Sequence, residues 1–215
     1  MKKTFTFPEL LLVAVCAAGI VALTVAAAGA GHAKTAACAD TMRILEQKFS
    51  AWENDHDGRL LPSRVKSSVL WGRILLDGGY FEDTGHWGRG IRVYPKNFEC
   101  PAETRQRNNG KVDVSHPSVN VAVTYDYALN WYAHQPVAKL DQPSALRKDI
   151  HHPERLMRMI DGTLFRMLKE GDHFTARHGA GAANVLFSDG HVAFLEKVPF
   201  KGVPGYNGRF WFNTK

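Results

Sequence analysis

Between Leu10 and Gly31 the chain carries no charged side chain, and this run constrains every fold open to the remainder. As a helix rising about 1.5 Å per residue, its roughly 22 residues reach about 33 Å, enough for a hydrocarbon core of about 30 Å. One membrane crossing is therefore expected, with everything that follows on a single side. Lys2 and Lys3 precede the run, and Thr4-Phe5-Thr6-Phe7-Pro8-Glu9 connects them to it.

Three readings of this start compete. A basic beginning, an apolar centre and small residues from Ala28 to Ala33 suit a cleaved secretory signal, although such apolar centres usually run about 7–15 residues. An uncleaved signal anchor fits the length but gives no reason for Glu9, a carboxylate set against lipid where burial is costly. The third reading does. Phe5-Thr6-Phe7-Pro8-Glu9-Leu10-Leu11-Leu12-Val13 resembles the start of type IV prepilins and type II secretion pseudopilins, whose short basic leader is cut before a Phe, leaving Glu as the fifth mature residue. Counted from Phe5, Glu9 is fifth. The resemblance implies cleavage after Thr4 by a prepilin peptidase and methylation of the new terminus. It also implies that Glu9 pairs with an N-terminal amine of its own or a neighbouring subunit, which neutralises an otherwise uncompensated buried charge. Thr4 stands where the family usually has Gly, and Pro8 where it more often has an aliphatic residue.

With 215 residues, the chain divides into a leader (1–4), a transmembrane helix segment (5–33) and a head (34–215) of a size that can bury one core. Apolar residues at 45% and aromatics at 11% argue against disorder. The net charge of +6 is dispersed, and no basic cluster of the kind that gathers on a nucleic-acid-binding face is visible, so no nucleic-acid partner is expected.

Cys16 lies inside the apolar run, where it reads as a small packed side chain. Cys38 and Cys100 are left on the exported side, where a disulfide between them is expected, closing a loop of roughly 60 residues for about 3–4 kcal/mol. A lipid-attachment reading of Thr35-Ala36-Ala37-Cys38 is weaker, because His32 and Lys34 separate it from the apolar run. From Lys34 onward, Met42, Leu45, Phe49 and Trp52 recur at helical spacing, so one continuous helix from about residue 8 to 54 is expected. Gly58 is placed to end it in the left-handed conformation, and Pro62 to keep it from resuming. Asp55, Asp57 and Gly58 invite a calcium reading, but in an EF-hand register the twelfth position is Arg64, where a bidentate Glu is required. A less regular calcium site there, or metal binding through His178 and Asp189, is a minor alternative to no cofactor at all.

Further along, Val69 to Leu76 reads as a short helix ended by Gly78-Gly79, with Tyr80-Phe81 as a core anchor, and Gly85 to Gly90 reads as a loop. Val119 to Tyr125 alternates as a strand leading into an aromatic segment ending at Trp131-Tyr132, while Leu156 to Ile160 reads as a strand before a turn at Asp161-Gly162. His151-His152-Pro153 lacks the spacing of a zinc helix. Ala183 to Leu195 is expected to form a hairpin closed by the two-residue turn Asp189-Gly190. Ser188 would then oppose His191, Phe187 would face Val192 and Val185 would face Phe194, with these apolar pairs on the core side.

The Gly/Ala-rich stretch Arg177 to Asn184 follows no strand and precedes no helix, so a dinucleotide fingerprint is rejected. Together with the N-terminus it carries a second resemblance, now over nearly the whole chain, to pilin-like proteins with a C-terminal His-x9-Asp-Gly motif. Here His178 and Asp189-Gly190 take those parts, at a spacing one residue longer. The order of Cys38, Trp52 to Pro62, Phe98-Glu99-Cys100-Pro101 and Tyr125 to Tyr132 agrees as well. The resemblance implies an α+β fold, a long N-terminal helix packed on a small antiparallel sheet. It implies a non-enzymatic pseudopilin-like subunit, single-pass in the bacterial inner membrane, its head in the periplasm or at the cell surface. Its partners would be a prepilin peptidase and other pilin-like subunits of a type II secretion or type IV pilus-like filament. The alternative is a membrane-anchored glycan-binding or hydrolytic surface domain. It would use Trp71, Trp87, Trp131 and Trp211 as sugar platforms and His178, Asp189 and His191 as a metal or acid/base set.

Overall fold

The computed structural model describes residues 7–65, 69–82, 86–88, 91–93, 100–101, 127–130, 133–134, 145–162, 166–167, 178–179, 181–199 and 210. The fold is α+β. Helix α1 runs unbroken over Phe7–Asp55 (49 residues), about 73 Å at 1.5 Å per residue. Its side chains are described from Gly31, and burial begins in earnest at Cys38. Among the described residues no helix is long and apolar enough to cross a membrane; the side chains of the apolar run, apart from Gly31, lie outside them. Thr4, Phe5 and the side chain of Glu9 lie outside them too.

Met42, Leu45, Phe49 and Trp52 all face the core, as their spacing requires. The helix ends at a turn in which Gly58 N–H returns to the Glu53 carbonyl at 2.7 Å. Both Asp57 (φ 58°) and Gly58 (φ 73°) are left-handed, so Asp57 shares the role that the sequence assigns to glycine alone. Strands β1 (Arg64–Val65) and β2 (Val69–Leu70) form a small antiparallel pair. They lead into helix α2 (Trp71–Asp77), which is capped at Gly78. Trp71 packs edge-on against Phe49 at 5.5 Å. The segment expected to be a loop around Gly88 instead contributes strand β3 (His86–Gly88), antiparallel to β4 (Ile91–Val93); β-branched Ile91 and Val93 favour the extended backbone. The strand expected at 119–125 lies outside the described residues.

The main sheet holds β5 (Tyr127–Asn130), β6 (Met157–Asp161), β7 (Arg166–Met167), β8 (Ala183–Phe187) and β9 (Val192–Leu195) in the order β7-β5-β6-β8-β9. All pairings are antiparallel except β5 with β7. Strands β5, β6 and β8 are buried along their whole length, because both faces of the sheet are covered. Tyr127, Leu129, Met159 and Leu186 meet α1. Ala128, Ile160, Val185 and Phe187 turn the other way and pack with Val198 and Phe210. Covered on both faces, these strands show no alternation of buried and exposed residues.

A bulge between Met157 and Met159 breaks the register of β6 with β8. It lets Arg158 and Met159, neighbours in sequence, both address the helix. Arg158 is 1% exposed. It donates to Glu46 Oε2 at 2.7 Å and to Glu53 Oε1, and its guanidinium lies 4.9 Å over the Phe49 ring. Arg147 approaches the same two carboxylates at 3.4 and 3.5 Å from the solvent side. Two cations thus answer two anions where α1 meets the sheet.

The β8–β9 hairpin corrects the expected register. Leu186 opposes Val192, Val185 opposes Ala193 and Asn184 opposes Phe194. The cause is the turn. Gly190 alone has positive φ (99°), and its N–H returns to the Phe187 carbonyl at 3.0 Å. Ser188, Asp189 and Gly190 therefore form a three-residue loop in which glycine takes the left-handed position, rather than a two-residue turn with positive φ at both positions. Because side chains alternate, the one-residue shift moves Phe194 from the face of Val185 to that of Asn184 and Leu186, where it is 45% exposed. A Cβ at Gly190 would have room, meeting Glu46 at 3.5 Å, so Gly190→Ala isolates the backbone cost. A loss of about 1–2 kcal/mol in urea denaturation is expected, and an unchanged midpoint would show that this turn relaxes freely.

Candidate functional site

Where α1 crosses the start of β8, four side chains from four separate segments converge. Cys38 comes from the buried face of α1, Cys100 from the residue before Pro101, Asp161 from the end of β6 and His178 from the segment that precedes β8. Cys38 Sγ lies 3.1 Å from Cys100 Sγ and 3.4 Å from Asp161 Oδ1. His178 Nε2 lies 3.7 Å from Cys100 Sγ and 3.3 Å from Asp161 Oδ2. Their ligand atoms all fall within 4.8 Å of one another, so the group could hold a metal ion. The His178 and Asp161 side chains are 1% and 0% exposed.

A ring of hydrogen bonds orients these groups. The Thr35 hydroxyl donates to the Gly31 carbonyl at 3.0 Å, so its oxygen is left to accept from His178 Nδ1, 3.1 Å away. Nδ1 therefore carries a proton, and Nε2 is turned toward Asp161 and the thiols. The Asn184 backbone N–H donates to Asp161 Oδ2 at 3.1 Å, and its side-chain amide donates to the Thr35 carbonyl at 3.0 Å. The Tyr127 hydroxyl sits 3.4 Å from Cys38 Sγ. Hydrogen bonding with Cys100, followed by burial, pushes the Cys38 thiol far above its ordinary range. Burial and then the adjacent sulfurs push the Tyr127 phenol up. Burial opposes charging of His178, but hydrogen bonds to Asp161 and Cys100 outweigh it and raise the imidazole to about 9.

The expected partners Cys38 and Cys100 are thus brought together, but with no bond between them; a disulfide would hold the sulfurs at about 2.05 Å. The set of His178, Asp189 and His191 does not form. His178 belongs with the thiols, whereas Asp189 Oδ1 takes the His191 backbone N–H at 3.1 Å and lies 2.6 Å from its Nδ1, exposed at the hairpin turn. Of the other acidic candidates, Asp55 accepts the Tyr80 hydroxyl at 2.7 Å and Asp57 is exposed in the helix-ending turn. Neither belongs to the metal-competent group found among the described residues. Two sulfurs, an imidazole and one carboxylate are also foreign to calcium, which takes 6–8 oxygens. Trp71 is no sugar platform, being fully buried against Phe49; Trp131 and Trp211 lie outside the described residues, as does the side chain of Trp87.

Asp161 is the member that the sequence did not reveal. Read locally it opens a turn, and nothing in its spacing from either cysteine or from His178 marks a ligand set, since each comes from a different segment. In comparisons with family models, curated proteins and solved structures, nothing matches this chain.

Proposed function

We propose that the chain is a structural, pseudopilin-like subunit. Its N-terminal helix half is held in the inner membrane and, after leader removal, packs beside related helices in a short filament of a type II secretion or type IV pilus-like system. The observation that carries this reading is the single unbroken helix Phe7–Asp55. Among its described side chains those buried in the head begin at Cys38, and the part upstream carries the charge-free run and Glu9. Cys38, Met42, Leu45, Phe49 and Trp52, with the ion pairs from Glu46 and Glu53 to Arg158, tie the helix to the sheet. A load on one is thereby passed to the other. Within a filament the Glu9 carboxylate neutralises the amine of Phe5, and Ala17, Ala18 and Gly19 let neighbouring helices approach closely.

Glu9 is the residue on which the reading turns. Glu9→Leu is expected to leave membrane insertion and head folding intact while abolishing incorporation into filaments, scored by shearing and cross-linking. Co-expressed with a prepilin peptidase, the mature wild-type chain is expected to begin at Phe5. A chain that still begins at Met1 under those conditions sinks the processing scheme, and normal assembly of Glu9→Leu sinks the pairing.

A further inference from the structure

We propose that Cys38, Cys100, Asp161 and His178 form a structural zinc site that staples α1 to the sheet. This does not depend on the filament reading, because it rests on the geometry of the head alone. A tetrahedral zinc with bonds of about 2.3 Å to sulfur and 2.0–2.2 Å to nitrogen and oxygen separates its ligands by about 3.8 Å between sulfurs. Sulfur to nitrogen or oxygen is then about 3.5 Å, and nitrogen to oxygen about 3.3 Å. The observed separations of 3.4 Å (Cys38 Sγ to Asp161 Oδ1), 3.7 Å (Cys100 Sγ to His178 Nε2) and 3.3 Å (His178 Nε2 to Asp161 Oδ2) lie near those edges; the first and third run to different oxygens of Asp161, so its carboxylate must turn to present one of them, and the four ligand atoms lie within 4.8 Å of one another. The two sulfurs, 3.1 Å apart, must part by about 0.7 Å to reach their own edge.

The donor chemistry selects the ion. Two thiolates and one imidazole favour a borderline-soft cation, and a complete set of four protein ligands is the closed form of structural rather than catalytic zinc. The surroundings are those of a built site. Thr35 holds the His178 tautomer with Nε2 facing inward, Asn184 anchors the carboxylate, and Tyr127 addresses Cys38. Each of these orients a ligand in the way that the outer hydrogen bonds of zinc sites do. Binding displaces the thiol protons of Cys38 and Cys100 and the Nε2 proton of His178, and the dication then balances two thiolates and the buried Asp161 carboxylate to within one negative charge. Because the ligands come from α1, the segment before Pro101, β6 and the segment before β8, the ion links parts of the chain far separated in sequence.

The test uses the full chain, extracted in detergent with a thiol reductant. One zinc per chain is expected, and cobalt in its place should give the d–d bands of a tetrahedral site with a sulfur-to-cobalt charge-transfer band. Zinc should raise Tm and a chelator should lower it. Asp161→Asn and His178→Gln should each weaken zinc binding by at least about 10-fold. Thr35→Val, which removes the acceptor for Nδ1–H and the exposed hydrogen bond to the Gly31 carbonyl but no ligand, should weaken it about 10–100-fold while keeping the charge-transfer band. Two outcomes overturn the proposal. One is reduced wild-type protein that takes up cobalt without a charge-transfer band, a measurement that no misfolded variant can confuse. The other is recovery of Cys38 and Cys100 as a disulfide from cells lysed directly into an alkylating reagent.

Discussion

Arg158→Met is expected to cost the fold about 3–5 kcal/mol, the usual consequence of removing one partner from a buried ion pair. Arg158 is buried with Glu46 and Glu53 in contact on α1. Methionine fills much of the volume but leaves the two carboxylates with Arg147 as their counter-charge among the described residues, and it stands farther off and is partly exposed. The loss should depend on pH in a particular sense. Burial already raises the Glu53 carboxyl, with Arg158 and Arg147 acting against it; without Arg158 it rises further. A carboxyl whose folded value lies above its unfolded value favours the fold only in acid and costs stability as pH rises through the folded value. Urea denaturation of the detergent-solubilised chain should therefore show the largest deficit near neutrality and a smaller one toward pH 5. Arg158→Lys should fall between the two, because an ammonium cannot bridge both carboxylates as the guanidinium fork does. A wild-type midpoint for Arg158→Met at neutral pH would mean that the triad contributes nothing to holding α1 on the sheet.

The second large effect is expected from His134. Its ring is buried, with Nδ1 donating to the Leu61 carbonyl at 2.6 Å. Among the described residues Nε2 has no hydrogen-bond partner. Burial, and then the charge of Arg158, lower the imidazole from 6.5 to about 3. The unfolded chain accordingly takes up a proton below about 6.5 that the folded chain refuses until about 3. Across that window stability falls with falling pH by about 1.4 kcal/mol per unit, and above it His134 contributes no slope. His134→Asn keeps a donor near the Nδ1 position and cannot titrate. The difference in unfolding free energy between wild type and His134→Asn should therefore move by about 2 kcal/mol between pH 8 and pH 5, in favour of the variant at the acid end. Parallel profiles would show that the ring meets water or a second partner when protonated.

Much of the scaffold can be read from local pattern. The extent of α1, the stop at Asp57-Gly58, the strand at Met157–Asp161 and the hairpin at Ala183–Leu195 depend on neighbours a few residues apart, where periodicity and turn chemistry act. The hairpin also marks the limit of that approach. Asp189-Gly190 announces a turn, but whether one or both residues adopt positive φ decides the register, and with it which face of the sheet Phe194 takes.

By itself, then, the sequence determined a long N-terminal helix with a charge-free run in its first half and an α+β head behind it, because helical spacing and strand patterning are written within single segments. Only the tertiary structure decided that Arg158, on a bulge, would lie buried between Glu46 and Glu53. It alone brought Asp161 and His178 to the two cysteines. These juxtapositions join residues about 15 to 140 positions apart, and no local rule of spacing carries that information; it arises when the helix and the sheet close on a common core.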